Sequence, residues 1–162
     1  MGVSGCGKTT VGNTLAHRLG LPFADADDFH PEANVAKMAG GQPLTDEDRW
    51  PWLDAVGTWL AGRPEGGVVA CSALRVAYRD AIRRRWPEAY FLHLDGAMEV
   101  AIRRVAARIG HFLPAGLVQS QYDLLEPLED REAGAAISFD APVTQIIAQA
   151  LRVLGAADGA SV

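Results

Sequence analysis

The fold is decided by one stretch near the start of the numbering, Gly2-Val3-Ser4-Gly5-Cys6-Gly7-Lys8-Thr9. It fits the pattern G-x-x-x-x-G-K-[ST], in which glycines let the backbone curl until successive N–H groups point at phosphate oxygens. A helix predicted from Thr9 to Leu19 directs its positive end at the same charge. Lys8 reaches the β and γ phosphates of a nucleoside triphosphate, and the Thr9 hydroxyl can ligate Mg²⁺. The residues predicted to bind ATP here are Gly2, Val3, Ser4, Gly5, Cys6, Gly7, Lys8, Thr9 and Thr10.

The rest of the chain alternates short apolar strands with helices. Predicted strands are 21–24, 68–71, 90–94 and 135–139, and predicted helices are 31–38, 76–86, 98–109, 117–125 and one that begins at Pro142. Thr45 to Asp48 resembles a capping box, and Pro51 is expected to limit where the next helix begins. Because the strands are almost wholly apolar, they indicate an α/β fold with a parallel sheet covered on both faces. The loop also needs a strand before it, and only Met1 precedes Gly2, so we expect the first strand to be missing from the numbered chain.

Length and composition exclude several classes of protein. The chain has 162 residues, of which 49% are hydrophobic and 22% charged, as expected for one globular domain spanning residues 1–162. We expect no membrane partner, because no apolar run approaches the ~20 residues of a membrane helix, and no secretory signal is evident. The net charge of −5 argues against binding nucleic acid through bulk charge. Cys6 and Cys71 lack metal-site spacing and are expected to be free thiols, which favours a cytoplasmic location.

Paired carboxylates follow the first predicted strand after the loop. Asp25 and Asp27 come directly after it, where residues of a parallel sheet line the ligand crevice. They can hold Mg²⁺ together with Thr9, or accept a proton from a substrate hydroxyl. A helix cap is the structural alternative for one of them. These patterns alone predict a small-molecule kinase and do not name its acceptor.

The segment from Asp25 to Leu53 resembles the signature of bacterial gluconokinases of the P-loop type. That signature reads D-[GA]-D-x-x-H-P-x-x-N-x-x-K-M-x-x-G-x-P-L-x-D-x-D-R-x-P-W-L, and further matching motifs lie at 71–79, 108–114, 120–127 and 139–142. The resemblance spans essentially the whole chain, although members of the family usually carry Lys where this chain has Arg75. It implies the three-layer P-loop fold of shikimate and adenylate kinases, and often a homodimer.

The resemblance also implies the reaction, which is ATP-dependent phosphorylation of D-gluconate at its 6-hydroxyl with Mg²⁺ as cofactor. Gluconate is a polyol with one carboxylate, so its site needs hydroxyl partners and cations, and Asp27 is the predicted acceptor of the hydroxyl proton. Predicted substrate-binding residues are Asp27, His30, Lys37, Arg49, Ser72, Arg75, Arg79, His111 and Gln119, and predicted metal ligands are Thr9, Asp25 and Asp27.

A lid-like segment is expected at about 104–126, by correspondence with related kinases. Arg104 and Arg108 lie four residues apart on one helix face and can bring positive charge to the γ-phosphoryl group when the lid closes. With Lys8 and Asp27 they form the predicted catalytic set. Asp140 and Pro142 follow the last strand and are expected to contact adenine. Two alternatives stay open, namely another small-acceptor kinase of the shikimate type and a nucleotide-binding module without phosphoryl transfer.

Overall fold

Strands and helices alternate along the chain in the computed structural model. It describes residues 1–107 and 115–158, without the side chains of 115–117 and 156–158. The strands in this part are β1 (Phe23–Asp25), β2 (Val68–Ala70), β3 (Phe91–Asp95) and β4 (Gly134–Ser138). The helices are α1 (Lys8–Leu19), α2 (Glu32–Ala39), α3 (Asp46–Ala61), α4 (Val76–Arg85), α5 (Met98–Ala106), α6 (Ala115–Leu124) and α7 (Val143–Asp158). A 3₁₀ turn, Ala26–Phe29, follows β1. The α/β class predicted from the sequence is therefore confirmed.

All strand pairing in the described residues is parallel. β1 pairs with β2, and β3 pairs with β4, so that Asp25 lies level with Ala70 and Asp95 level with Ser138. Between the two pairs runs the backbone of Met1 and Gly2. Met1 bonds to the residues on either side of His93, accepting from the Leu94 N–H at 2.9 Å and donating to the Leu92 carbonyl, and this is the pattern of parallel pairing.

The backbone of Met1 and Gly2 thus marks the centre of the strand order. On the other side Gly2 N–H donates to the carbonyl of Ser72, just beyond β2, at 3.2 Å. The order is β1, β2, Met1–Gly2, β3 and β4, and this is the position in which the sequence predicted a strand leading into the loop. All four strands end at the same edge, where the loop also begins.

Two separate apolar clusters cover the faces of this sheet. One contains Leu15 of α1, Ala101 of α5 and Ile146 of α7. The other contains Leu53 of α3 and Ile82 of α4. Because successive residues of a strand point to opposite faces of the sheet, the side chains of β3 belong to different clusters. The result is the predicted three-layer sandwich. No helix of the described residues is long and apolar enough to cross a membrane.

The start of α3 differs from the sequence expectation. Thr45 caps the helix, and Thr45 and Asp48 form a reciprocal capping box, so α3 begins at Asp46. Pro51 lies inside the helix instead of limiting its start. A proline so near the N-terminus removes only one intrahelical hydrogen bond, and the capping box together with the burial of Trp52 and Leu53 stabilises the first turns. The expectation for Pro51 was therefore wrong.

Candidate active site

The phosphate loop has the backbone geometry that its glycines predict. Gly5 has φ +84°, and a Cβ atom there would lie 2.5 Å from the carbonyl oxygen of Ala101. Gly7 has φ +93° and precedes the first turn of α1, so its N–H and those that follow are open at the helix N-terminus. Lys8 Nζ donates to the carbonyl of Val3 at 3.0 Å, which holds the lysine across the mouth of the loop. The loop is thus an anion site with a cation at its rim.

An oxygen pair beside the loop fits Mg²⁺. The Thr9 hydroxyl donates to Asp25 Oδ2 at 2.8 Å, and Asp25 Oδ1 accepts the Asp27 N–H at 3.2 Å, which caps the 3₁₀ turn. No group of three or more His, Cys, Asp or Glu side chains within residues 1–107 and 115–158 could hold a metal by itself. Mg²⁺ is usually bound through one or two carboxylates and fills its other positions with hydroxyls, phosphates and waters, so Thr9 and Asp25 suit it.

Asp27 has the electrostatic setting of a proton acceptor. Loss of hydration raises the pKa of its carboxyl group above the ordinary value, and the neighbouring Asp25 carboxylate raises it further. The charges of His30 and Lys8 act in the opposite direction and lower the pKa of this carboxyl. A carboxyl group with a raised pKa is a stronger base than an ordinary aspartate.

His30 is held by an asparagine that the sequence analysis did not select. Its ring stacks on Trp52, with centroids 4.4 Å apart, and Asn34 Nδ2 lies 3.4 Å from its Nδ1. Burial lowers the pKa of His30 and so favours the neutral ring. Asn34 is itself buried and donates to the carbonyl of Asp48 at 2.7 Å. The signal for Asn34 in the sequence was its place in the family signature, four residues after His30.

Three of the predicted acceptor-side residues are joined to the start of α3. Lys37 Nζ contacts both carboxylate oxygens of Asp48 at 2.7 Å, which ties α2 to α3. Arg49 and Arg75 both bond to Asp46. The pKa of Asp48 is lowered by the hydrogen bond from Lys37. Ser72 lies directly beyond β2, next to the loop, where its carbonyl accepts from Gly2.

Arg79 does not face the acceptor site, which corrects the sequence prediction. Its side chain is fully buried. Nε and Nη2 form a bidentate pair with Glu132, both at 2.7 Å, and the remaining donors bond to backbone carbonyls of the 73–74 and 126–127 segments. The hydrogen bond from Arg79 lowers the pKa of Glu132 to about 2. With its donors taken up in this way, Arg79 fixes α4 to the segment after α6 and has none left for a substrate.

Of the predicted lid residues, Arg108 and His111 lie outside the described residues. Arg104 Nη2 donates to the carbonyl of Phe139 at 2.9 Å, which places Arg104 beside the Asp140–Pro142 turn, the segment predicted to contact adenine. The boundaries of the lid stay a prediction.

A second correction concerns the glutamines of α6. Gln119 is exposed and its amide bonds to Asp123 on the same helix at 2.8 Å, so this side chain does not reach the acceptor site. Gln121 reaches the loop instead, where its Oε1 accepts the Ser4 N–H at 2.6 Å. The sequence carried a signal for Gln121 only through its place in the family motif at 120–127.

Comparison with known proteins agrees with this geometry. The family described as Shikimate kinase matches residues 4–133. A gluconokinase of Gluconobacter oxydans (strain 621H) is 42% identical, over 98% of this chain and 90% of its own length. The thermosensitive gluconokinase of Escherichia coli (strain K12) is 40% identical, over 92% of this chain and 82% of its own length. The chain belongs to the gluconokinase family.

A solved gluconokinase from Sinorhizobium meliloti 1021 has the same fold. It is 44% identical and superposes with a TM-score of 0.88, covering 96% of this chain and 89% of its own. The gluconokinase resemblance predicted from the Asp25–Leu53 signature is therefore confirmed, as is the shikimate kinase-like fold.

Proposed function

We propose that this protein transfers the γ-phosphoryl group of ATP to the 6-hydroxyl of D-gluconate, giving 6-phospho-D-gluconate and ADP. The observation that supports this most is the juxtaposition of the phosphate loop and the acceptor signature. Thr9 and Asp25 are joined at 2.8 Å, and the Asp27 carboxyl lies within the electrostatic influence of Lys8. A phosphoryl donor and a hydroxyl acceptor bound on these two sides would meet between Lys8 and Asp27.

On the donor side, the loop N–H groups and Lys8 bind the phosphates and balance the charge that spreads over the γ-phosphoryl oxygens. Thr9 and Asp25 hold Mg²⁺, with Asp27 as its third predicted contact, and the ion, when bound, neutralises phosphate charge. The Asp140–Pro142 turn binds the nucleoside end, and Arg104 beside it directs positive charge to the γ-phosphoryl group. Arg108 supplies a further cation for the γ-phosphoryl group.

On the acceptor side, Asp27 orients the attacking hydroxyl and accepts its proton. The raised pKa of Asp27 suits this role, because the carboxylate then holds the proton more strongly than an ordinary aspartate would. His30, fixed by Asn34 and Trp52, bonds to a hydroxyl of the polyol. Lys37, Ser72 and His111 are further candidates for hydroxyl contacts. Arg49 and Arg75 bind the carboxylate at the far end of gluconate.

The decisive experiment is a coupled assay for 6-phosphogluconate with purified protein, ATP, Mg²⁺ and D-gluconate. We expect turnover that depends on all three, with little activity on shikimate or a nucleoside monophosphate as acceptor. ATP hydrolysis without acceptor-stimulated turnover would contradict the proposal and favour a nucleotide-binding module. Turnover with shikimate in place of gluconate would identify another small-acceptor kinase.

Two smaller parts of the proposal have tests of their own. We propose a cytoplasmic enzyme, in keeping with two buried free cysteines, Cys6 and Cys71. Fractionation of the source cells with an antibody would check the location. We also propose a homodimer, which light scattering on the purified protein would reveal as twice the chain mass of 17.3 kDa.

A further inference from the structure

Two arginines from different elements meet at one tyrosine on the acceptor side. The guanidinium carbon of Arg49, on α3, lies 5.5 Å from the centroid of the Tyr78 ring. That of Arg75, which precedes α4, lies 5.6 Å from the same centroid. Both groups carry a full positive charge at any working pH, so their closeness is unfavourable unless an anion accompanies them.

Asp46 is that anion. Its Oδ1 accepts from the Tyr78 hydroxyl at 2.5 Å and from Arg49 Nη1 at 3.4 Å. Its Oδ2 accepts from Arg75 Nη1 at 2.8 Å. The bond from Tyr78, followed by the charges of Arg75 and Arg49, lowers the pKa of Asp46, so the carboxylate is ionised at neutral pH. One carboxylate therefore bridges both guanidinium groups.

The bridge leaves donors of both arginines for another ligand. Within the described part of the chain, Asp46 is the single hydrogen-bond acceptor of the Arg49 guanidinium, which has five N–H groups. Arg75 also approaches Glu126, with Nε 3.5 Å from Oε1. Arg49 is a little over one-fifth exposed and Arg75 about one-third, so a solute can reach both.

We propose that Asp46 is a positioning residue, which holds Arg49 and Arg75 side by side so that their remaining N–H groups form one binding site for the carboxylate of the acceptor. This inference rests on the proposed function, because it takes gluconate as the acceptor. Asp46 does not touch the reacting atoms. It acts through the two arginines, and it makes the site select anionic acceptors over neutral polyols of the same shape.

The test compares Asp46→Asn with the wild type on two acceptors, D-gluconate and the neutral D-gluconamide. Loss of the bridging charge lets the two guanidinium groups move apart. We expect the KM and the binding constant Kd for gluconate to rise about tenfold, with kcat changed less than about threefold. Values for gluconamide should change little, because the amide carries no charge for the arginines to bind. A general structural defect would affect both acceptors equally.

Two further variants serve as matched controls. Asp54→Asn removes another α3 carboxylate that bridges to α4, through its bonds to Arg85 at 2.6 and 3.0 Å, and it should leave the KM for gluconate unchanged. It lies about 12 Å from Asp46 along α3, and within the described residues it bonds to Arg85 and to neither of the two arginines. Asp46→Asn introduced into an Arg75→Gln background should add little, because the pair to be positioned is already lost.

Binding measurements by calorimetry separate this inference from the proposed function. If the wild type binds gluconate without phosphorylating it, the proposed reaction fails and the Kd values still decide the role of Asp46. An unchanged or lower Kd in Asp46→Asn, or an equal loss for gluconate and gluconamide, would overturn the inference. If the wild type binds neither acceptor, both proposals fail.

Discussion

The two sides of the candidate active site are built in different ways. The phosphate-binding part of the donor side is one continuous segment, Gly2–Thr9, whose glycines and lysine adopt their geometry largely from local sequence. The acceptor side combines α3, the start of α4, the 3₁₀ turn after β1 and the segment after α6. A short motif therefore suffices for phosphate binding, whereas recognition of the acceptor depends on ion pairs between distant segments.

The largest effect is expected at the local motif. Lys8→Met removes the cation at the rim of the phosphate loop, and its only hydrogen bond in the described structure is to the carbonyl of Val3. We expect kcat to fall by about 10³-fold while the melting temperature stays near that of the wild type. Steady-state kinetics and thermal unfolding measure the two. A variant with more than a tenth of wild-type kcat would contradict the role given to Lys8.

On the acceptor side, we expect a loss of stability when a buried ion pair between distant segments is removed. Arg79→Met leaves the buried Glu132 carboxylate with Arg83 as its one cationic partner among the described residues, so the free energy of unfolding should fall by about 3–5 kcal/mol. Arg85→Met is the matched control on the same helix. It breaks an exposed pair with Asp54 and should lower the free energy of unfolding far less, because exposed ion pairs contribute little. Urea unfolding of both variants checks the difference, and equal losses would refute the structural role of Arg79.

Asp27 links the donor and acceptor sides, and its ionisation is expected to determine how kcat/KM depends on pH. Asp27→Asn should lower kcat about 100-fold without a large change in the KM for gluconate. In the wild type the carboxylate must be deprotonated to act, and its pKa is raised. As the pH falls, kcat/KM should therefore begin to decline at a higher pH than it would with an ordinary aspartate. This decline of kcat/KM at acidic pH, the acidic limb of the profile, should disappear in the variant. A pH–rate profile measures it, and an unchanged limb would assign the ionisation to another group.

The smallest effect concerns the link between α6 and the loop. Gln121→Ala removes the acceptor of the Ser4 N–H and should lower kcat/KM for ATP about fivefold, as expected for one hydrogen bond. Gln119→Ala, two residues earlier on the exposed side, should leave it unchanged. Equal values of kcat/KM for ATP in the two variants would contradict the role given to the bond between Gln121 and Ser4.

Local patterns predicted the fold well because each element carries its own signal. The glycines of the loop, the capping box at Thr45 and the apolar strands each depend on residues close in sequence. Pro51 was misjudged because a helix interior tolerates a proline when the cap and the buried residues around it are favourable. The position of Met1 between β2 and β3 agreed with the strand order that the loop motif requires.

Site residues were harder to predict, because a charged residue has the same identity whether it is buried or exposed. Arg79 and Arg75 both follow β2 closely, and no local pattern assigns one to Glu132 and the other to Asp46. Asn34 and Asp46 were overlooked because their roles are to hold other side chains. Residue type indicated the chemistry of the site, but not the partner of each charge.

By itself the sequence determined the phosphate loop, the alternation of strands and helices, and membership of the gluconokinase family. These depend on turn geometry, periodicity and a contiguous signature, all of which act over short stretches of chain. The tertiary structure alone decided that Arg79 is a buried support, that Gln121 meets the loop, and that Asp46 bridges two arginines. Ion pairs form between segments that only folding brings together, so their partners are fixed by packing and not by spacing along the chain.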